Sequence, residues 1–353
     1  MVEFVHAFTK NAVRESGSSQ GFSDDPAEAD YGTAVQKCEQ LLSRKCMERT
    51  ALKQFDVQEP HTITLEGLDE ENKYTYQYLP LAPQLREFFR NKNVNDVLKT
   101  HNNSETEELH GLQDGYAYKD VKKDEILLNV YYDGFQSGNP LGSASKKHAI
   151  GAVYCSIGNT NYSGSLDDIF VVLVFQEIIL QTHRWSALLS PLIDELKELE
   201  ADGIDLFGKR CEVRVAVLTG DNLGVHSVAG FSKCFSGGGF LCRHCNVTKD
   251  DIGHQTKADQ AQSRTRKQYD ATLQLLVDEN FDETACEAVG VYAPCPLTVL
   301  KNFHPVDSLP PDVMHDVLEG VAPSTINLVV NELVREEVVD AKAVRQYASK
   351  EIG

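Results

Sequence analysis

Four segments of strand character and one helix, in a fixed order, limit the folds open to this chain. ILLNVYY (126–132) is almost continuously apolar, as in a strand covered on both faces. HAIGAVYCSIG (148–158) and DIFVVLVFQ (168–176) follow as two more strands, with the turn-rich NTNYSGS between them. SPLIDELKELEADG (190–203) then reads as a helix. Ser190 is the expected N-cap, Pro191 suits the first turn and Gly203 the stop, while Leu189, Leu192, Ile193, Leu196 and Leu199 form one buried stripe. CEVRVAVLTG (211–220) alternates Val213, Val215 and Val217 against Glu212, Arg214 and Ala216, the pattern of a fourth strand. Strand, strand, strand, helix, strand predicts an α/β domain.

Two acids mark the ends of the first and fourth strands. Asp133 follows ILLNVYY and Asp221 follows CEVRVAVLTG, each beside a glycine, Gly134 or Gly220. Sites in α/β sheets gather at carboxyl ends of strands. A third acidic element lies in SLPPDVMHDVLEGV (308–321). Pro310 and Pro311 suit a helix entry. Met314, Val317, Leu318 and Val321 share one helical face, expected to be buried. Asp312, His315, Asp316 and Glu319 share the other, and no cation follows until Arg335. Such a face repels itself or holds a metal ion. Asp133, Asp221 and Glu319 are expected to hold two divalent cations, Mg2+ or Mn2+, on oxygen ligands suited to phosphoryl transfer. Asp316, one turn from Glu319, is the rival third acid. Asp312 is accounted for by the positive N-terminus of its helix.

The charge balance weighs against direct contact with a polyanion. Lys and Arg number 34 against 53 Asp and Glu, a net charge of −19. DNA binding therefore calls for a separate basic module, and LEGLDEENK, SETEELH and DELKELEAD are expected to be solvated faces. The longest apolar run, FVVLVF (170–175), is far short of the roughly 20 residues that span a bilayer. MVEFVHAFTK does not read as a signal peptide. Nine cysteines, an odd number with one CxxC pair, suit a reduced intracellular compartment.

Residues 1–35, rich in Ser, Gly, Asp and Glu, are expected to be weakly ordered. Residues 36–114 read as a helical lead-in, with helices over 33–58 and 83–100 and YTYQYLPL (74–81) as a short strand or extended linker. The main domain is expected over 115–336, with an insertion over 225–305 and a tail over 337–353. In the insertion, Cys242 and Cys245 of FLCRHC are spaced as half of a tetrahedral Zn2+ site. His304 and His315 are the favoured remaining ligands, with Cys295 in reserve and His254, Cys234 and Cys286 as further candidates. The stretch holding Lys257, Arg264, Arg266 and Lys267 reads as a basic helix and is the local candidate for touching a phosphate backbone.

YYDGFQSGNPLGS, LTGDNLGVHSVAGF, FLCRHC and LPPDVMHDVLEGV, in that order, resemble a set of transposase-like proteins of animal genomes, distant relatives of the CACTA (En/Spm) cut-and-paste DNA transposases. The resemblance covers roughly residues 75–335. It implies an RNase H-like catalytic fold, a mixed sheet flanked by helices, with a DDE triad and a Cys/His insertion before the last acid. Carried over, the triad is Asp133, Asp221 and Glu319, acting on DNA in the nucleus, with a homo-oligomer as a further expectation. Members of the set are usually longer, with an N-terminal DNA-binding zinc finger and a C-terminal extension. A fragment or domesticated descendant, acting as a zinc-stabilised interaction scaffold, is therefore the alternative expectation.

Overall fold

The computed structural model describes residues 58–66, 74–100, 111–118, 120–136, 149–160, 168–235, 239–252, 254, 263–340, 342, 343 and 346. The expectations for residues 1–57 and for most of the tail lie outside them. Seven strands form one sheet, in the order β1-β2-β5-β4-β3-β7-β6. They are β1 (His61–Leu65), β2 (Tyr74–Tyr78), β3 (Glu125–Gln136), β4 (Ala149–Ile157), β5 (Ile169–Gln176), β6 (Ile204–Leu206) and β7 (Lys209–Gly220). Neighbours are antiparallel except β3 and β7, which run parallel from Glu125↔Glu212 to Tyr132↔Gly220. The α/β expectation is met at this level: a mixed sheet with helices.

The continuous apolar run of β3 has a plain cause. Ile126, Leu128, Val130 and Tyr132 enter the main core. Leu127 joins Val121, Ala216 and Val217 in a smaller second core.

Beyond the sheet come α1 (Leu81–Phe89), the one-turn α2 (Val94–Val97), α3 (Trp185–Leu188) and α4 (Ser190–Asp202). Next are α5 (Asn222–Ala229), α6 (Lys249–Ile252), α7 (Arg266–Asp278) and α8 (Glu283–Val289). A π-helical segment, Val313–Val321, then runs into α9 (Ala322–Arg335).

The expected stripe of α4 is buried. Its expected cap is not: Leu189 holds the N-cap position, because α3 feeds directly into α4, and Ser190 lies inside the helix with its hydroxyl 3.5 Å from Asp194 Oδ2.

The lead-in is not a separate helical region in its described part. β1 and β2 form a hairpin that joins the sheet edge at β5. The expected helix over 83–100 is two helices, α1 and α2. Glu195 of α4 accepts hydrogen bonds from the N–H groups of Leu81 and Ala82, both at 2.8 Å, and from the Tyr78 hydroxyl. Its carboxylate thus serves as the missing cap of α1, whose N-cap residue is Pro80. DELKELEAD is therefore not wholly a solvated face.

The largest departure concerns the apolar stripe of Val313–Val321. Met314, Val317, Leu318 and Val321 face solvent, the last two 63% and 65% exposed. The polar side, with Asp312, His315 and Asp316 half-buried, turns inward.

Candidate active site at the strand ends

Parallel pairing brings the segments that hold Asp133 and Asp221 to one region of the sheet. The register ends at Tyr132↔Gly220, one residue before each acid, and the charges of both act on Tyr131. Gly220 is required there: its φ is +152°, and a side-chain carbon would lie 2.5 Å from the Tyr132 carbonyl oxygen. Asp133 does not start a turn, since β3 continues to Gln136. Asp221 leaves the sheet as the N-cap of α5, its Oδ1 accepting the Gly224 N–H. Burial raises the pKa of the Tyr131 hydroxyl, and the charges of Asp133, Asp221 and Asp312 push it the same way. The charges of three carboxylates therefore reach one phenol.

The acidic helix arrives through its N-terminus. Asp312 is its N-cap, with Oδ1 accepting from Met314 N at 3.1 Å and His315 N at 3.2 Å, and its other oxygen bonds His315 Nδ1. That hydrogen bond is the main cause of a raised His315 pKa. The charges of Asp312, Glu319 and Asp221 act in the same sense and desolvation against them. A cavity of about 270 Å³ lies between these groups, lined by Tyr131, Gly220, Asp312 and His315 among others.

Asp316 is tied into the site more firmly than Glu319. Its Oδ1 accepts from Asn222 Nδ2 at 2.5 Å and its Oδ2 from Asp312 N at 3.2 Å. Glu319 is exposed.

Sequence reasoning missed the cation of this site. Arg243, between the two cysteines of FLCRHC, is 5% exposed. It donates to Asn222 Oδ1 at 2.7 Å and to the Pro310 carbonyl at 2.9 Å. Burial lowers its pKa, while the charges of Asp316, Cys242 and Asp312 work the other way. The acidic face thus has an arginine partner brought in by the insertion. The motif displayed Arg243, but its local pattern carries no information on where the side chain points.

The two strand-end carboxylates suit a magnesium-like cation, which is commonly held by one or two carboxylates with water and substrate oxygens completing the shell. Among the described residues no group of three or more His, Cys, Asp or Glu is gathered closely enough to hold a metal ion. Cys242 and Cys245 do meet: burial and a hydrogen bond to Cys242 raise the Cys245 thiol pKa. Cys242 Sγ also accepts the His244 N–H at 3.3 Å. His304 and His315 are engaged elsewhere. His304 Nε2 lies 3.2 Å from Asp270 Oδ1 and its Nδ1 accepts from Val306 N, while His315 is bonded to Asp312. Cys295 and Cys286 are buried.

The basic stretch also departs from expectation. Arg264 is buried, bonded to the carbonyls of Cys242 and Val289, and Arg266 pairs with Asp307. Arg264 is thus withdrawn from any phosphate backbone, whereas Arg266 and Lys267 are exposed, and Lys257 lies outside the described residues.

Compared with known proteins, the chain matches no family model and no curated relative.

Proposed function

We propose that this chain carries a transposase-derived, RNase H-like core whose strand-end acids serve metal-dependent cleavage and transfer of DNA strands. The observation that carries this reading is the parallel register of β3 and β7, which ends at Tyr132↔Gly220, one residue before Asp133 on β3 and before Asp221 at the cap of α5. Three antiparallel strands, a helix and a fourth strand parallel to the first support the same reading. A bound divalent cation supplies positive charge at a phosphoryl oxygen and a more acidic water. Asp133 and Asp221 would hold such a cation. Asp221 is oriented by the Gly224 N–H, which occupies one of its oxygens and leaves the other for a ligand. Asp316 and Glu319 compete for the third position: Asp316 is held at the site by Asn222 and Asp312 N, which already occupy both its oxygens, while Glu319 is exposed. A structural Zn2+ on Cys242 and Cys245 remains part of the proposal, supported by their hydrogen bond and by the His244 N–H on Cys242.

Arg243 favours the second reading, a non-enzymatic scaffold. Its charge offsets part of that of Asp316 and Asp312 without a metal. The test is a plasmid-nicking assay with Mg2+ or Mn2+ on the chain fused to a DNA-binding module. On the catalytic reading the fusion nicks DNA, and Asp133→Asn lowers the rate by about a hundredfold or more, since the lost charge stabilisation is worth several kcal/mol. A folded fusion inert in both forms leaves the scaffold reading in its place.

A further inference from the structure

A second cavity, about 570 Å³, lies between α3, α4, α5 and the loop over 292–299. Its size falls within the range of small-molecule sites. Three cations line it, Arg184, Lys197 and Lys233, against one carboxylate, Asp194. Such local excess is unusual in a chain of net charge −19. Lys197 stands 3.9 Å from Asp194, a loose pairing at best. The side chains of Arg184 and Lys233 have no hydrogen-bond or ion-pair partner among the described residues. The wall also holds Tyr292, 41% exposed, and the edge of Trp185, whose Nε1 donates to Ser227 Oγ at 3.0 Å.

We infer that this cavity binds a nucleotide unit, its phosphate on Arg184 and Lys233 and its base against Tyr292. Unpaired cations beside an exposed aromatic ring are the two parts of a nucleotide site: charge for the phosphate, a flat apolar face for the base. A free nucleotide and one nucleotide of a single strand share this chemistry. The inference does not depend on the catalytic proposal, because none of the cavity's residues belongs to the strand-end site.

Trp185 is the chain's single tryptophan, so its fluorescence reports the cavity directly. The full chain is titrated in EDTA with thymidine 5′-monophosphate, with an oligothymidylate, with thymidine and with inorganic phosphate, correcting absorption with a free tryptophan analogue. The expected result is a saturable change with the monophosphate, the oligothymidylate or both, and at least about tenfold weaker binding of thymidine and of phosphate. Response to the oligothymidylate alone assigns the site to a strand; response to the monophosphate assigns it to free nucleotide as well. Arg184→Ala and Lys233→Ala, both at exposed positions, each weaken binding about tenfold. Asp133→Asn leaves the titration unchanged, which separates this outcome from that of the nicking assay. No response to either nucleotide probe, or equal affinity in the Arg184→Ala/Lys233→Ala double variant, overturns the inference.

Discussion

His226 is buried in α5, with Nδ1–H donating to the Ser232 carbonyl at 2.6 Å and rings of Phe231 and Phe235 beside it. Burial lowers its pKa from 6.5 to about 4. The unfolded chain therefore binds a proton between those values that the folded chain refuses. The stability tied to neutral His226 is whole above about pH 6.5 and is lost as pH falls towards about 4, up to roughly 3 kcal/mol. Urea unfolding at pH 7 and pH 5 should show that loss in the wild type and less of it in His226→Gln, which keeps a donor for Ser232. An equal fall in both proteins removes His226 as the cause. Phe207 offers a second test. The β6–β7 loop is Phe207-Gly208, with φ of +55° and +88°, so both residues are in the left-handed region of a tight hairpin turn. A phenylalanine is strained there and is 63% exposed. Phe207→Asn should stabilise the fold by about 0.5–1 kcal/mol, read as a higher thermal midpoint. At this scale the sequence revealed identities without directions. The apolar runs drew attention to Asp133 and Asp221, but only Asp221 follows the end of its strand, β3 continuing to Gln136, and Arg243 and Asn222 depend on contacts made across the fold.

Strand and helix placement was legible wherever periodicity and burial agree. β3, β4, β5, β7 and α4 lie within a few residues of their sequence expectation. The acidic helix failed for a physical reason. Periodicity says which residues share a face, not which way the face turns. Here the polar side has the stronger partners, Asn222 and the helix's own N-cap, with Arg243 close behind. Leu318→Ala should therefore change stability by less than about 0.5 kcal/mol, as at an exposed site, whereas Leu196→Ala in the α4 stripe should cost about 2–5 kcal/mol. A loss above about 2 kcal/mol at Leu318 in chemical denaturation shows the stripe to be packed after all. Glu195→Ala removes the acceptor for two backbone N–H groups and the Tyr78 hydroxyl, and should destabilise by about 2 kcal/mol or more in the same measurement.

At the scale of the whole molecule, the described residues from Gln58 onward belong to one compact unit. The boundary expected near residue 115 is crossed by the sheet itself, through β2 and β5. A lead-in that folded by itself would show its own transition. Hydrogen exchange should instead find Tyr76 and Tyr78 protected to a degree similar to Val153 and Cys155. Early exchange of β2 alone would restore the boundary. Composition and pattern showed that the middle of the chain is α/β, but the β1–β2 hairpin escaped notice because a five-residue strand such as YTYQY reads equally as linker. The parallel pairing of β3 with β7 also bears on how the chain comes to be folded. β3 ends at Gln136 and β7 begins only at Lys209, with β4, β5, α3, α4 and β6 between them. On a ribosome adding about 5–20 residues per second, the far edge of β3 waits on the order of 4–15 s for its partner. Over that interval the main-chain groups of a strand with a long apolar run, Ile126–Tyr132, stand open to any extended segment nearby. A nascent chain halted before Lys209 should therefore be the form most readily captured by chaperones or lost to aggregation, and release past Gly220 should end that exposure.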